Sequence, residues 1–334
     1  MRRSRRTTFQ HCASQANDRS AACPLVVGRI AWRDPIRPSK AAVLTQLPAS
    51  NATDPLPQLR AFWEAQGRFP KDAVWRPLTG GRTNPVWRIE TGTGNFVCKL
   101  FTASGTTPLF ANDPDAEVLA LRVLAGTNLA PRFIASQKSS LGVSLIYHHV
   151  PGEPWSSDPQ PVARVLKRLH DHPVPNGLAK HPCDAVSLIN QGRKMLTETG
   201  KADRMPPPPQ WPEHRAPGKD VFLHGDPVPG NILQDGDLLT LIDWQCPAQG
   251  DACHDLALFL SPAMQVVNGN VPLSTAQAAA FLSAYDAPET TARYHALAPV
   301  FHWRMAAYCL WKAHHGDHVY DAAAGLELAH LQQG

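Results

Sequence analysis

The chain has 334 residues, 43% of them hydrophobic and 18% charged, which is enough to bury a full core and rules out a disordered protein. Its longest unbroken apolar runs, such as residues 256–260, fall far short of the ~20 residues of a membrane-spanning helix, so no membrane partner is expected. The net charge of +4 is unevenly placed: residues 1–50 hold nine Lys and Arg against two Asp, residues 51–334 hold 23 against 26 Asp and Glu, and no basic face for nucleic acid is expected.

The basic excess sits in a start rich in Arg and Ser and poor in acids, which lacks the apolar core of a secretory signal. Residues 1–50 are therefore set apart from the fold, as a disordered extension, a start placed too far upstream, or a targeting segment. Seven cysteines (Cys12, Cys23, Cys98, Cys183, Cys246, Cys253, Cys309) are odd in number and form no CxxC pair. That usage implies reduced thiols and a cytoplasmic location.

In chain order, residues 54–66 predict a helix, with Asp54 as a cap, Leu56, Leu59, Phe62 and Trp63 at helical spacing, and Gly67 as the stop. Three short strands follow at 73–78, 86–90 and 95–101, separated by the turns 79–85 and 91–94. The Gly92-Thr93-Gly94 run precedes a strand rather than a helix, so it reads as a hairpin and not as a dinucleotide fingerprint. Residues 115–125 predict a helix closed by Gly126, and 132–135 and 143–148 predict two further strands.

Beyond residue 151 the period becomes helical. Val162, Val165, Leu166 and Leu169 form one stripe, and residues 187–199 form a second helix. Four consecutive prolines make 205–218 a loop. Apolar runs at 221–223 and 238–242 then flank the segment His224-Gly225-Asp226-Pro227-Val228-Pro229-Gly230-Asn231, and helices run to the end.

This segment carries the chemistry. Asp226 precedes Asn231 by five residues, and Asp243 closes the next apolar run. One carboxylate can take a proton from an attacking hydroxyl, while an amide oxygen and a second carboxylate hold magnesium against a triphosphate. Upstream, Gly80 and Gly81 let backbone N–H groups approach phosphate, with Thr83 or Asn84 as added donors, although a plain hairpin would use the same residues. Lys99 lies on the third strand, where an unpaired buried ammonium would be costly, and Glu117 is its natural counter-ion, with Asp115 as the competitor.

A glycine turn, a strand Lys, a helix Glu and a distant Asp/Asn/Asp set stand here in kinase order. From about Phe69 onward the chain resembles the choline kinase and aminoglycoside phosphotransferase family, a small-molecule branch of the protein-kinase-like fold. The resemblance rests on Leu78 through Asn84, Val97-Cys98-Lys99-Leu100, Glu117-Val118-Leu119, Pro151-Gly152-Glu153-Pro154, Leu169-His170, the HGDxxxxN run, Leu241-Ile242-Asp243-Trp244, Gly250-Asp251 and Asp255-Leu256-Ala257. HGD and IDW stand where a protein kinase carries HRD and DFG.

The resemblance implies an α+β, two-lobed fold: a small antiparallel-sheet lobe with one key helix over residues 51–148, and a larger helical lobe over 149–334 holding the catalytic loop and the acceptor site. It implies ATP and Mg2+ as cofactors and a small-molecule alcohol as substrate, such as choline, ethanolamine, thiamine, an aminoglycoside or an amino sugar. Asp226 becomes the base, Lys99 the phosphate contact, Asn231 and Asp243 the metal ligands, and His224 and Asp255 supports of the catalytic loop.

For the acceptor, Trp244 follows a metal ligand directly, and Phe301, Trp303, Tyr308 and Trp311 crowd Arg304. Aromatic faces can hold an amine by cation–π contact, yet the same spacing serves a helix core. The His314, His315, Asp317 and His318 cluster reads as a solvated helix end. Two other classes fit less well. A metallophosphoesterase would need an upstream DxH and a downstream GHxH, which the sequence lacks, and a non-catalytic kinase-like module would have lost one of the residues kept here.

Overall fold

The computed structural model describes residues 54–78, 83–102, 105–182, 184–210 and 218–332. The expectations for residues 1–50, for Gly80 and Gly81, and for most of the second half of the proline loop lie outside the described residues.

Helix α1 (Leu56–Ala65) starts where Asp54 Oδ1 accepts the Leu56 N–H at 3.0 Å, and Gly67 at φ +65° follows its end. Strands β1 (Val74–Pro77), β2 (Val86–Thr91) and β3 (Gly94–Phe101) form the expected meander, and α2 (Pro114–Val123) separates it from β4 (Phe133–Ser139) and β5 (Gly142–His148). All five strands make one sheet in the order β1-β2-β3-β5-β4, and every pairing is antiparallel.

Both faces of this sheet are covered, so β3 is buried continuously rather than alternately. Its residues still part by the two-residue period of a strand. Cys98 and Leu100 pack with Leu59 and Trp63 of α1, whereas Val97 and Phe101 join the larger core on the opposite face. Lys99 shares the register of that second pair, opposite Leu145 of β5, and so points away from α1.

The remainder is mostly helical. Short β6 (Glu153–Pro154) leads into α3 (Gln160–His170), whose predicted stripe Val162, Val165, Leu166 and Leu169 is buried. After β7 (Ala179–Lys180), helix α4 (Ala185–Thr199) is capped by Asp184 and stopped by Gly200 at φ +64°. Strands β8 (Asp220–Leu223), β9 (Ile232–Asp235), β10 (Leu238–Leu241) and β11 (Ala248–Asp251) follow, then α5 (Cys253–Leu260), α6 (Pro262–Val267), α7 (Thr275–Tyr285), α8 (Pro288–His314) and α9 (Val319–Leu331). Helix α8 ends at His314, so the histidine cluster is a helix end as expected.

Strands β6 and β7 have two residues each, and β9 (Ile-Leu-Gln-Asp) and β11 (Ala-Gln-Gly-Asp) lack an apolar alternation, so the sequence does not announce these four. One of them matters for function. Strand β11 pairs antiparallel with β8, Ala248 opposite Leu223, which sets the segment after β8 beside the segment before β11. The β9–β10 hairpin completes the arrangement: Ile232 opposes Leu241, and Ile242 N–H donates to the Asn231 carbonyl at 2.9 Å. The residues between Asn231 and Asp243 are thus spent on a hairpin that returns the chain to its starting point. Among the described residues, no helix is long and apolar enough to cross a membrane.

Candidate active site

The chain turns sharply at His224-Gly225-Asp226. Gly225 has φ +84°, and a Cβ there would overlap the Cys246 carbonyl, so only glycine fits. Asp255, in the first turn of α5, accepts the His224 N–H at 2.8 Å and the Gly225 N–H at 3.0 Å. His170 Nε2 approaches the same carboxylate at 3.1 Å, and its Nδ1 meets the Tyr285 hydroxyl at 2.8 Å. Burial pushes the Asp255 carboxyl up, but His170, His224 and the backbone donors outweigh it and hold the group below the usual carboxylate range.

His224 is fixed at both ends. Its Nε2 donates to the Ile242 carbonyl at 3.0 Å, and its Nδ1 accepts the Asp226 N–H at 3.2 Å. This describes a neutral imidazole that ties the Asp226 loop to the strand end before Asp243. Burial lowers its pKa accordingly.

Asp226 is braced from the other side. Asn231 Nδ2 donates to the Asp226 carbonyl at 3.0 Å and to Oδ2 at 3.1 Å, while Oδ1 is buried without a hydrogen-bond partner. Burial, then the charge of Asp243, pushes the Asp226 carboxyl up to about 8 against the Asn231 hydrogen bond. An orphaned carboxylate oxygen at the head of such a loop is an atom held ready for a partner.

Lys99 reaches across from the sheet. Its Nζ lies 2.6 Å from Glu117 Oε2 on α2 and also forms an ion pair with Asp243 Oδ1. Burial pulls the Lys99 pKa down, but Asp243 and Glu117 more than reverse this, so the ammonium is kept. Asp115 is exposed, and Glu117 is the partner. Helix α2 is aimed by Asp113, which caps it by accepting from Asp115 and Ala116 and whose own N–H donates to the Gln245 carbonyl at 2.9 Å. Asp243 itself adopts φ +62°, an uncommon conformation for a residue other than glycine and one that concentrates at functional sites.

The structure therefore brings Lys99, Glu117 and Asp243 together, and Asp226 with Asn231 beside them, with His224 and Asp255 as braces. It corrects four other expectations. Asn84 is only 6% exposed, and its amide is committed to Asn112, Gln245 and the Thr102 N–H, so it is not a free donor. Trp244 is fully buried; its Nε1 donates to the Leu241 carbonyl and its ring packs on His224 and Phe222, which makes it core rather than pocket. Trp303, 2% exposed, packs against Gly192 and donates to the Pro206 carbonyl. Trp311 donates to Glu198 and stacks on His315 near the end of α8. At Trp244 and Trp303 apolar volume won over cation–π geometry: the first ring fills the core beneath the catalytic loop and the second fills the seam between α8 and α4.

Of the acceptor candidates, Arg304 does line a cavity, one that also borders Gly225. Thr83 receives a long 3.5 Å contact from Gln245. Gln245, Asp113 and His170 are organising residues the sequence reading did not single out for these roles. Gln245 stands two residues after Asp243, and its burial was the missing signal.

A model of the phosphotransferase enzyme family matches residues 74–299. Comparison with curated proteins finds no significant match. Among solved structures, choline kinase from Cryptosporidium parvum Iowa II is similar at 15% identity and TM-score 0.59, covering 83% of this chain and 94% of that one. A choline/ethanolamine kinase family protein from Mesorhizobium loti gives 17% identity and TM-score 0.57, with coverage of 83% and 94%. A thermostable mutant of aminoglycoside phosphotransferase APH(4)-Ia, in ternary complex with AMP-PNP and hygromycin B, gives 15% and 0.54, with coverage of 82% and 97%. These likenesses give the fold as α+β and protein-kinase-like. With its family model spanning most of the described residues, the chain belongs to the phosphotransferase enzyme family.

Proposed function

We propose that this chain is a small-molecule kinase that moves the γ-phosphoryl group of ATP to a hydroxyl of a small metabolite. The observation that carries the reading is the meeting of the ion pair between buried Lys99 and half-buried Asp243 with the Asp226–Asn231 pair at one point of the fold. The AMP-PNP bound by the APH(4)-Ia relative is consistent with it.

In this reading Lys99, held by Glu117, meets the α- and β-phosphates as a point charge. Asp243 and the Asn231 side-chain oxygen, which takes no part in that residue's bonds to Asp226, are hard oxygen donors suited to magnesium. Among the described residues no three His, Cys, Asp or Glu side chains gather as a metal cluster, which fits an ion that takes its other ligands from phosphate and water. When bound, magnesium neutralises the triphosphate charge.

Asp226 Oδ1 accepts the acceptor's hydroxyl proton as the new O–P bond forms to the γ-phosphorus. The bond between that phosphorus and its bridging oxygen breaks, and ADP leaves with the electron pair. Asp226→Asn keeps the shape of the loop and removes the base. ADP release should fall by about 10²- to 10⁴-fold with little change in the KM for ATP. Turnover equal to wild type would sink the assignment.

The nitrogen-containing acceptors expected from the sequence draw support from the choline kinase and hygromycin-bound relatives, at the level of fold. They lose the support of Trp244 and Trp303, which are core. A non-catalytic module is disfavoured, because Lys99, Asp226, Asn231 and Asp243 are all present and converge.

A further inference from the structure

Resting on the phosphotransfer reading, a second feature of the same region speaks to the acceptor. A cavity of about 210 Å³ opens beside Gly225, the residue next to Asp226, and is lined among others by Thr107, His181, Gln191, His254 and Arg304. Its Thr107 hydroxyl lies 3.3 Å from the Tyr308 hydroxyl, and Tyr308 in turn feels the charge of Asp226. The cavity therefore adjoins the position where an acceptor hydroxyl must meet the base.

Its polarity is one-sided. None of its lining residues is Asp or Glu. Arg304 is 5% exposed, and no ion pair holds it among the described residues; Nη1 donates to Gln191 Oε1 at 2.9 Å, and Nε is buried without a partner. Glu327 shares a separate void of about 10 Å³ with Arg304, but its oxygens are already taken by Ser261, the Ala263 N–H and His302. His181 and His254 are held below the usual imidazole range by burial and by Arg304 itself, so they are neutral and add donors or acceptors without charge. Lys180 stands at the rim, paired with Asp220 at 2.8 Å.

A guanidinium taken out of water without a carboxylate is costly. Such a cost persists where a ligand supplies the missing anion, and the planar fork of Arg suits carboxylate and phosphate alike. The volume is below the ~300 Å³ of the smallest drug-sized pockets, which favours a compact acceptor over an oligosaccharide. A quaternary or protonated amine would meet Arg304 as a like charge, while the nearby carboxylates Asp226 and Asp255 belong to the catalytic loop and not to the cavity lining.

We propose that the cavity beside Gly225 binds the carboxylate or phosphate group of a small hydroxyl acceptor, with Arg304 as its anchor. Calorimetric titration of the full chain with D-glycerate, sn-glycerol 3-phosphate, glycerol and choline reads this directly, and the first two probes separate carboxylate from phosphate. One anion should bind more tightly than both glycerol and choline, and Arg304→Gln should weaken it at least about tenfold. Arg304→Lys, which keeps the charge without the fork, should fall between the two. Melting curves check folding, and should Arg304→Gln not fold, Arg304→Lys still makes the comparison, with a loss of threefold or more expected (roughly the cost of one hydrogen bond). Choline binding above both anions, equal anion affinity in wild type and variants, or no anion binding would overturn the proposal. ADP release measured with the same compounds tests phosphotransfer separately: silence from every acceptor would count against the kinase reading while leaving the anion result standing.

Discussion

Lys99 sits between two carboxylates of unequal burial, and that asymmetry has a measurable consequence. The Glu117 side chain is 1% exposed, whereas that of Asp243 is 29% exposed and can be hydrated. Removing the ammonium therefore strands one anion in the interior and leaves the other half-solvated. Lys99→Met should destabilise the chain by about 3–5 kcal/mol in urea unfolding, the usual cost of breaking a buried pair by losing one partner. Adding Glu117→Leu should return most of that loss, because the stranded charge goes with its partner. Simple additivity of the two substitutions would show that Glu117 is not the group Lys99 neutralises.

The elements place these residues through two short pairings and one helix start. Strand β11 holds the Asp226 loop through β8, the β9–β10 hairpin returns Asn231 to Asp243, and α5 presents Asp255 to two backbone donors of the loop. Asp255→Asn would leave the His170 contact and one of those donors poorly matched inside the core. Its pKa is depressed in the folded chain, so between the folded and unfolded values the unfolded state binds more protons. Stability from this group is present above the unfolded value near pH 4 and is lost as pH falls through the folded one. Asp255→Asn should cost about 3–5 kcal/mol at neutral pH and flatten the stability profile below about pH 4. An unchanged acid profile, measured by urea unfolding at successive pH values, would rule out Asp255 as the charged brace.

At the scale of the whole molecule, the sheet, its flanking helices and the Lys99, Glu117, Asp226, Asn231 and Asp243 set were legible, because strand alternation, helical stripes and fixed motif spacing all leave marks in sequence. The pocket was not. Trp244, Trp303 and Arg304 lie close to site residues in sequence or on one helix, yet only tertiary packing decides that the two indoles fill seams while the guanidinium borders a cavity. The sign of the pocket's charge was equally hidden, since the slightly acidic average of residues 51–334 says nothing about one concavity. The same concavity governs behaviour in acid. His181 is held at about 4 and His254 well below the usual imidazole range, first by burial and then by Arg304, whereas both would titrate near 6.5 in an unfolded chain. Below that pH the unfolded state gains protons that the folded state refuses, so the stability these two imidazoles lend is full above about 6.5 and declines as pH falls. Asp226, pushed up to about 8, holds a proton in the folded chain over the same range that the unfolded chain lacks and works the other way, so the imidazole part of the melting-temperature slope from about pH 6.5 toward pH 5 is read from what histidine variants remove. His254→Gln, which can still donate to the Pro182 carbonyl met by His254 Nε2, should reduce that slope by about one proton. Removing the charge of Arg304 should reduce it further, because the two imidazoles would then be freer to protonate in place. A slope identical in wild type and both variants would mean that the acid response arises elsewhere.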